Sequence, residues 1–398
     1  MKKFLSDRIL QMAESATIKM SQKARDLRAQ GIDIINLSLG EPDFDTPDHI
    51  KEAAMQALRD GYTKYTAVPG LLELREAISE KFRRDNDLHY QVDEIVVSNG
   101  AKQSLANLSL ALLNPGDEVI VFAPYWVSYY EIIRLSGGVP VLVQAEIEQD
   151  YKVKPEQLEA AISPRTKLVL FSSPCNPTGS AYTREELEQL AAVLEKQPDI
   201  LVISDEIYEY IRFGGSHHSI GSIESMRQRT ITINGMSKGF AMTGWRIGYM
   251  GAPRWVAKAC AKIQGQFTSG ANAFGQKASA LALQADKKPT EEMCKAFHKR
   301  RDMVVEQLGQ IPGMKVNLPE GAFYSFPDIS AFFGKSYGKH HIQNSEDFCS
   351  FVLEEGRVAS VPGVAFGADH CFRISYAASE EELQKACSRI AEALQKLS

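Results

Sequence analysis

Asn234-Gly-Met-Ser-Lys-Gly-Phe-Ala-Met-Thr-Gly-Trp-Arg-Ile-Gly-Tyr249 is the most informative stretch of the chain. It follows an apolar strand pattern and carries Lys238 among small residues, with Arg246 eight positions later. A lysine that is partly desolvated near other cations has a lowered pKa, and its neutral amine can form a Schiff base with a carbonyl. An exposed loop lysine is the commoner explanation for any single lysine, so the residues around Lys238 decide between the two.

Working outward from this stretch, short apolar runs alternate with helix-length amphipathic stretches between about residues 95 and 250. This alternation predicts an α/β fold in which helices cover both faces of a mostly parallel sheet. The predicted strands are residues 94–98, 118–122, 167–172, 200–204, 230–234 and 248–251. Ligands of open parallel sheets bind at the carboxyl ends of the strands, so we expect the site there.

The length of 398 residues suggests two domains. We predict a large domain over residues 48–287 and a smaller α+β domain over residues 288–398, with the segment 1–47 packing on the smaller one. The smaller domain would contain a long charged helix over residues 289–309 and a final helix that ends at Leu397. Its predicted strands are residues 313–317, 321–326 and 371–376.

The composition excludes several classes of protein. Hydrophobic residues at 44%, charged residues at 24% and a formal net charge of −5 offer no electrostatic basis for binding nucleic acid or membranes. The six cysteines include no C-x-x-C pair, which argues against a zinc site or a disulfide framework. The N-terminus does not resemble a signal peptide, so we expect a cytoplasmic protein. We expect the adjacent histidines His217-His218 and His340-His341 to be solvated loop residues rather than metal ligands.

Two loops at predicted strand ends carry candidate ring-binding residues. In Ser204-Asp-Glu-Ile-Tyr208, Asp205 could pair with a protonated ring nitrogen and Tyr208 could bind a phenolate oxygen, although helix capping and simple packing are alternatives. In Ser172-Ser-Pro-Cys-Asn-Pro-Thr-Gly179, two prolines and a glycine constrain the backbone, and either X-Pro bond could be cis. Asn176 would then be a second donor to the phenolate oxygen, unless the loop is only a turn.

A third loop, Ser98-Asn-Gly-Ala-Lys-Gln-Ser-Leu105, follows a strand and opens a helix. The amides of Gly100, Ala101 and Lys102 would therefore face an anion at the positive helix end. Arg246 and Ser237 would add a bidentate clamp and a hydroxyl to a bound phosphate. No nucleotide-binding G-x-x-x-x-G-K-[ST] or G-x-G-x-x-G motif is present.

Two further residues complete the candidate set. Trp126, just past a strand end, could stack on a flat heteroaromatic ring, although a core or interface role is commoner for a single tryptophan. Arg373 lies inside the apolar strand pattern Phe372-Arg-Ile-Ser375 and would face a carboxylate, either of a structural acid or of a substrate.

Several motifs occur together in one order: Gly40-Glu-Pro-Asp43, Tyr62-Thr-Lys-Tyr-Thr-Ala-Val-Pro-Gly70, Asn176-Pro-Thr-Gly179, Ser204-Asp-Glu-Ile-Tyr208, Ser237-Lys238 with Arg246, and Phe372-Arg373. Over nearly its whole length the chain resembles the pyridoxal-phosphate-dependent class I/II aminotransferases of fold type I, nearest the bacterial aspartate aminotransferase-like branch. This resemblance implies a seven-stranded, mostly parallel sheet in the large domain.

The resemblance also implies a role for each matching residue. Lys238 would hold the cofactor pyridoxal 5'-phosphate as a Schiff base and then move the proton between the substrate Cα and the cofactor. Asp205 would keep the ring nitrogen protonated, Tyr208 and Asn176 would bind the ring oxygen, and Trp126 would stack on the ring. The phosphate would be held by Ser237, Arg246 and the amides of Gly100, Ala101 and Lys102.

The substrate and the partner subunit involve further residues. Arg373, with Asn176 and the backbone of Gly40, would grip the substrate α-carboxylate, next to Trp126. Tyr65 would reach the phosphate of the neighbouring subunit, which implies a homodimer with shared active sites.

Departures from the family pattern bear on specificity. The stretch 264–272 lacks the arginine that some aspartate aminotransferases supply to the distal carboxylate, and Lys102 occupies the position of the proposed distal contact in the bacterial branch. A lysine found in relatives that also accept prephenate is replaced by Ala13 or Glu14, which argues against prephenate as a substrate.

We therefore predict an L-aspartate:2-oxoglutarate aminotransferase with a ping-pong mechanism. An aminotransferase for aromatic or other neutral amino acids, or a lyase of the same fold, is the alternative within the family. A cofactor-binding regulator would need a DNA-reading module, and no basic stripe occurs. A nicotinamide-dependent dehydrogenase would need a glycine fingerprint after the first strand, which is missing.

Overall fold

The computed structural model describes residues 4–12 and 16–398. Its α-helices, in chain order, are α1 (Asp7–Gln11), α2 (Ala16–Ala29), α3 (Asp48–Arg59), α4 (Leu72–Asn86), α5 (Ala101–Leu112), α6 (Ser128–Leu135), α7 (Pro155–Ala161), α8 (Arg184–Glu195), α9 (Arg254–Phe267), α10 (Ala273–Gln284), α11 (Lys288–Gly309), α12 (Ser345–Glu355) and α13 (Glu380–Leu394). None of these helices combines the length and apolar composition needed to cross a bilayer.

The strands are mostly short. They are β1 (Ile35–Asn36), β2 (Ile95–Ser98), β3 (Glu118–Ala123), β4 (Val139–Gln144), β5 (Thr166–Ser172), β6 (Leu201–Asp205), β7 (Thr230–Gly235), β8 (Gly248–Gly251), β9 (Tyr324–Ser325), β10 (Ser336–Tyr337), β11 (His340–His341), β12 (Val358–Ala359), β13 (Val361–Pro362) and β14 (Phe372–Ser375). All six strands predicted between residues 94 and 251 are present, whereas the strand pattern did not single out β4.

The central sheet of the described residues has seven strands in the order β2-β8-β7-β6-β5-β3-β4. β8 runs antiparallel to both of its neighbours, β2 and β7, and the other four neighbouring pairs are parallel, so the sheet is mostly parallel, as predicted. In β3, Val119 and Val121 pack into one apolar cluster and Ile120 and Phe122 into another. Successive side chains point to opposite faces of a strand. This sheet is therefore buried on both faces, which explains its continuous apolar runs.

Three of these strands end side by side. In the pairing of β5 with β6, Ser172 lies opposite Asp205, and in the pairing of β6 with β7, Asp205 lies opposite Ile233. The turn between β5 and α8 ends at Thr183, whose hydroxyl accepts from the Glu186 amide in a capping box, as the Thr-x-x-Glu spacing indicates. The loops after these strands therefore open at one edge of the sheet.

A second layer is built from the two ends of the chain. β1 pairs in parallel with β12, and β13, β14 and β9 form a small antiparallel sheet. Residues 313–317 do not form the predicted strand. Only Lys315 makes a bridge there, to Asp328, because Gly313 adopts φ 89° and Ile311 to Met314 form a turn. The domain boundaries at residues 47 and 287 stay a prediction.

The expectation that the paired histidines are solvated is wrong for two of them. The side chain of His217 is only 8% exposed and its Nε2 lies 2.9 Å from Glu206, whereas the side chain of His340 is 11% exposed and packs on Phe351. Atoms of Glu206, Glu209 and His217 that could ligate a metal ion lie within 4.8 Å of one another. However, the Lys81 ammonium ion-pairs with Glu209. We interpret this cluster as a buried ion network in which Lys81 supplies the cation.

Candidate active site

A cavity of ≈ 360 Å³ opens at the carboxyl edge of the central sheet. It brings together eleven of the predicted site residues, which are Gly40, Ala101, Lys102, Trp126, Asn176, Asp205, Tyr208, Ser237, Lys238, Arg246 and Arg373. Gly100 does not line the cavity itself but precedes Ala101 as the N-cap of α5. Tyr65 lies away from it on the surface and is 97% exposed.

Lys238 lies three residues after β7 and extends into the cavity. Its Nζ donates to the carbonyl oxygen of Gly40 and lies 5.7 Å from the ring centre of Tyr208. Burial, with Arg373 and Arg246 nearby, lowers the pKa of Lys238 to about 8, and the Glu41 carboxylate opposes this change. Far more of the amine is therefore neutral near physiological pH than in an ordinary lysine, and this neutral form can act as a nucleophile or a base.

Asp205 ends β6 on the cavity floor. Its Oδ1 accepts from the backbone amide of Ile207 at 3.2 Å, and its Oδ2 accepts from the Tyr129 hydroxyl at 2.7 Å. Burial raises the pKa of Asp205 to about 6, while the hydrogen bonds from Tyr129 and Ile207 act against the rise. A buried carboxylate of this kind favours a cationic N–H partner.

Tyr208 shares a hydrogen bond with a tyrosine from the C-terminal layer. The hydroxyls of Tyr208 and Tyr324 lie 2.8 Å apart, and both side chains are buried. Burial raises the pKa of Tyr208 well above its usual range, so the phenol is protonated and can donate to an anionic oxygen. A Cβ atom at Gly40 would lie 2.5 Å from the Tyr324 hydroxyl, so only glycine allows this close approach.

One corner of the cavity is suited to an anion. Gly100 adopts φ 82° and turns the chain into α5, whose first amides point towards the corner. The Arg246 Nη2 donates to the carbonyl oxygen of Asn99 at 3.3 Å, which places the guanidinium beside this helix start. Ser237 is buried on the same lining. Helix amides, a guanidinium and a hydroxyl are groups suited to binding a phosphate.

Arg373 is part of β14, and its side chain also lines the cavity. It is buried, its Nη1 donates to the Asn176 Oδ1 at 2.8 Å and its Nη2 donates to the Ser38 carbonyl oxygen at 2.8 Å. Its Nε has no hydrogen-bond partner among the described residues. A buried guanidinium without a carboxylate partner is costly, so this arrangement is suited to a ligand carboxylate. The Asn176–Pro177 and Ser173–Pro174 bonds are both cis.

Trp126 and Lys102 lie on the outer wall. The Lys102 Nζ is 4.9 Å from the Trp126 ring centre, and burial together with Arg246 lowers the pKa of Lys102. Trp126 also meets the Tyr129 ring edge-on, with centroids 5.5 Å apart. Thr17 and Ile18 of α2 line the mouth of the cavity beside them.

Among the residues of this site that the sequence interpretation did not single out are two buried tyrosines, Tyr129 and Tyr324. Tyr129 lies three positions after Trp126, a spacing of about one helical turn that would have predicted both on one side of the chain, although α6 itself begins only at Ser128. Tyr324 belongs to the apolar run 321–326 and has no local feature that sets it apart from a core tyrosine.

The charged residues that line the cavity, within the described part of the chain, are unbalanced. Lys102, Lys238, Arg246 and Arg373 face Glu41 and Asp205, so the cations outnumber the carboxylates by two. The cavity is therefore suited to a ligand with several negative charges. A reactive amine and a buried carboxylate are available to act on that ligand.

Comparison with known proteins agrees with this chemistry. The family model described as aminotransferase class I and II matches residues 32–390. The aspartate/prephenate aminotransferase of Nitrosomonas europaea is 46% identical over 394 residues, which cover 98% of this chain and 99% of that protein.

Two solved structures are similar over nearly the full length. The aspartate aminotransferase of Rhizobium meliloti is 45% identical, with a TM-score of 0.96 and coverage of 99% of both chains. That of Thermus thermophilus, determined with maleate, is 44% identical, with a TM-score of 0.92 and coverage of 98% of this chain and 99% of that one. The fold is therefore that of these enzymes, and the chain belongs to the aminotransferase class I and II family.

Proposed function

We propose that this protein is a pyridoxal-phosphate-dependent aspartate aminotransferase. It would transfer the amino group of L-aspartate to 2-oxoglutarate, yielding oxaloacetate and L-glutamate in two successive half-reactions. The observation that carries the proposal is the pairing, in one cavity, of an amine with a pKa of about 8 at Lys238 and a buried carboxylate at Asp205.

The residues present fit pyridoxal phosphate. The α5 amides, Ser237 and Arg246 would bind its phosphate, and Trp126 would stack on its ring. Asp205 would pair with the ring nitrogen, and Tyr208 with Asn176 would bind the ring oxygen. When bound, the cofactor supplies an aldehyde that combines with amines and a protonated ring that withdraws electrons from the substrate Cα.

The side chains of this site divide the remaining work. The Lys238 amine would first hold the cofactor, would then take the proton from the substrate Cα, and would deliver that same proton to the cofactor carbon that bears the transferred nitrogen. The ionised Asp205 would keep the ring nitrogen protonated, and the protonated Tyr208 would donate to the ring oxygen. Trp126 would stack on one face of the ring.

The two ends of a dicarboxylic substrate would meet different cations. Arg373, held by Asn176 and Ser38, would bind the α-carboxylate beside the Gly40 backbone. Lys102 would bind the distal carboxylate from the outer wall. The names of the related enzymes, and the maleate in the Thermus thermophilus structure, support a dicarboxylate.

Substrates other than aspartate lead to two separate expectations. The argument against prephenate rests on Ala13 and Glu14, which lie outside the described residues, so it stays a prediction. A neutral or aromatic amino acid is the second candidate, because Ile18 and Leu39 place exposed apolar surface at the mouth of the cavity.

Assembly and location also remain predictions. The hydroxyl of the exposed Tyr65 would reach the phosphate in a neighbouring subunit, which requires a homodimer with shared sites. The protein would act in the cytoplasm, in amino acid metabolism.

Absorption spectroscopy tests the proposal directly. Protein loaded with pyridoxal phosphate should show a visible band that L-aspartate removes and 2-oxoglutarate restores. Lys238→Ala should lack this band, whereas Lys295→Ala, which removes an exposed lysine of α11, should keep it. Loss of the band with L-phenylalanine alone would favour the aromatic alternative, and no band in the loaded wild type would refute the cofactor assignment.

A further inference from the structure

Tyr129 is a buried polar side chain that lines the cavity and that no family motif singled out. It lies in α6 and is 1% exposed, and its hydroxyl lies 2.7 Å from the Asp205 Oδ2. Asp205 belongs to β6, 76 positions further along the chain. The contact therefore joins the wall that carries Trp126 to the floor of the cavity.

The direction of this hydrogen bond follows from the chemistry of the two groups. Burial, together with the adjacent Asp205 carboxylate, raises the pKa of Tyr129 well above its usual range, so the phenol keeps its proton. An ionised carboxylate can only accept. Tyr129 therefore donates to Oδ2, while the Ile207 amide donates to Oδ1.

These two donors are the hydrogen-bond partners of the Asp205 carboxylate among the described residues. The Ile207 amide belongs to the backbone and cannot be varied by a side-chain substitution. Tyr129 is therefore the donor that a side-chain substitution can remove. Its hydroxyl lies 2.7 Å from the carboxylate, whereas the Ile207 amide lies 3.2 Å from it. A donor to a buried carboxylate stabilises its ionised form and restricts its rotation.

We propose that Tyr129 is a positioning residue that keeps the Asp205 carboxylate ionised and oriented to pair with the protonated ring nitrogen of the cofactor. This inference rests on the proposed function, because it requires pyridoxal phosphate in the cavity. Tyr129 acts on the ring only through Asp205, so its effect depends on the ring nitrogen.

The dependence on the ring nitrogen provides a test that does not use turnover. The apoprotein is titrated with pyridoxal phosphate and with its analogue in which a C–H group replaces the ring nitrogen, and both Kd values are measured by quenching of tryptophan fluorescence. Wild type should bind the natural cofactor more tightly than the analogue. In Tyr129→Phe this preference should fall about tenfold, the effect of losing one hydrogen bond to a charged group, with little change in the Kd of the analogue.

The control and the contrary outcomes separate the two proposals. Tyr182→Phe removes another buried tyrosine hydroxyl, one that contacts the Val153 backbone, and should keep the wild-type preference. If Tyr129→Phe weakens both ligands equally, or neither, the positioning role is wrong although the cofactor assignment stands. If wild type itself does not bind pyridoxal phosphate, both proposals are wrong.

A second variant covers the case in which Tyr129→Phe does not fold. Incorporation of 3-fluorotyrosine at position 129 keeps the shape of the ring and makes the hydroxyl a stronger donor. The preference for the natural cofactor over the analogue should then increase. An unchanged preference would overturn the inference.

Discussion

The Nη1 of Arg373 donates to the Asn176 Oδ1 at 2.8 Å, which joins β14 of the C-terminal layer to the loop after β5 of the central sheet. The two residues are 197 positions apart in the chain. Since the second nitrogen of the guanidinium is held by the Ser38 carbonyl oxygen, the Arg373 side chain is oriented before any substrate arrives. Such preorganisation favours selective binding of a carboxylate.

Replacing this arginine should therefore weaken substrate binding. In Arg373→Lys the charge remains but the planar pair of donors is lost, so we expect kcat/KM for aspartate to fall by at least about a hundredfold. Steady-state kinetics would measure the change. Arg184→Lys, at an exposed pair with Glu188, is the matched control and should stay near wild type. Equal values for the two variants would contradict the assignment of Arg373.

Lys102 should determine the preference for a second carboxylate. Lys102→Met keeps much of the side-chain stem over Trp126 but removes the charge. We expect kcat/KM to fall about tenfold for aspartate, or about 1.4 kcal/mol, and to change little for alanine. The ratio of the two kcat/KM values gives the result. A similar loss for both amino acids would show that Lys102 does not bind the distal carboxylate.

The rate of cofactor uptake should depend on pH through Lys238. Its pKa in the folded protein is lowered from 10.5 to about 8, so the neutral amine increases about tenfold per pH unit below 8 and levels off above it. The growth of the visible band in the apoprotein should follow this profile. Arg373→Met removes a neighbouring cation, so it should raise the Lys238 pKa and move the profile to higher pH. A wild-type rate that still rises steeply at pH 10 would contradict the lowered pKa.

The close packing of Gly248 against the start of α5 should matter for the phosphate. A Cβ atom at Gly248 would lie 2.1 Å from the Ala101 amide nitrogen, so Gly248→Ala should displace the anion-binding amides. We expect the Kd for pyridoxal phosphate to rise about tenfold or more, with a smaller change for pyridoxal, which lacks the phosphate. Gly244→Ala is the control, because no atom lies within 4 Å of the added carbon. An equal loss for both ligands would point to general disruption instead.

The buried ion network beside Asp205 should contribute to stability. Lys81 pairs with Glu209, and both side chains are buried. Glu209→Gln leaves the Lys81 charge without its partner, so we expect the free energy of unfolding to fall by about 3–5 kcal/mol. Glu188→Gln, at the exposed pair with Arg184, should cost less than about 1 kcal/mol. Denaturant unfolding of the two variants compares these costs, and equal losses would contradict the role of burial.

Local patterns in the sequence were enough to predict much of the fold and of the site. The strands at residues 118–122 and 230–234 were recognisable because both faces of a covered parallel strand are apolar. The capping box at Thr183 depends on residues three positions apart. Lys238, Asp205 and Arg373 each belong to a short sequence motif of the family. The resemblance could therefore predict a role for each of them without knowledge of the tertiary structure.

The tertiary structure alone decided contacts between distant segments. Tyr129 meets Asp205 across 76 positions and Tyr208 meets Tyr324 across 116, and neither pair leaves a periodic signal in the sequence. His217 likewise appeared to be a solvated loop residue until the fold placed it against Glu206. The physical reason is that strand and cap patterns arise from neighbours within a few positions. Distances across the sheet depend on the order β7-β6-β5-β3, which the packing of the whole core determines.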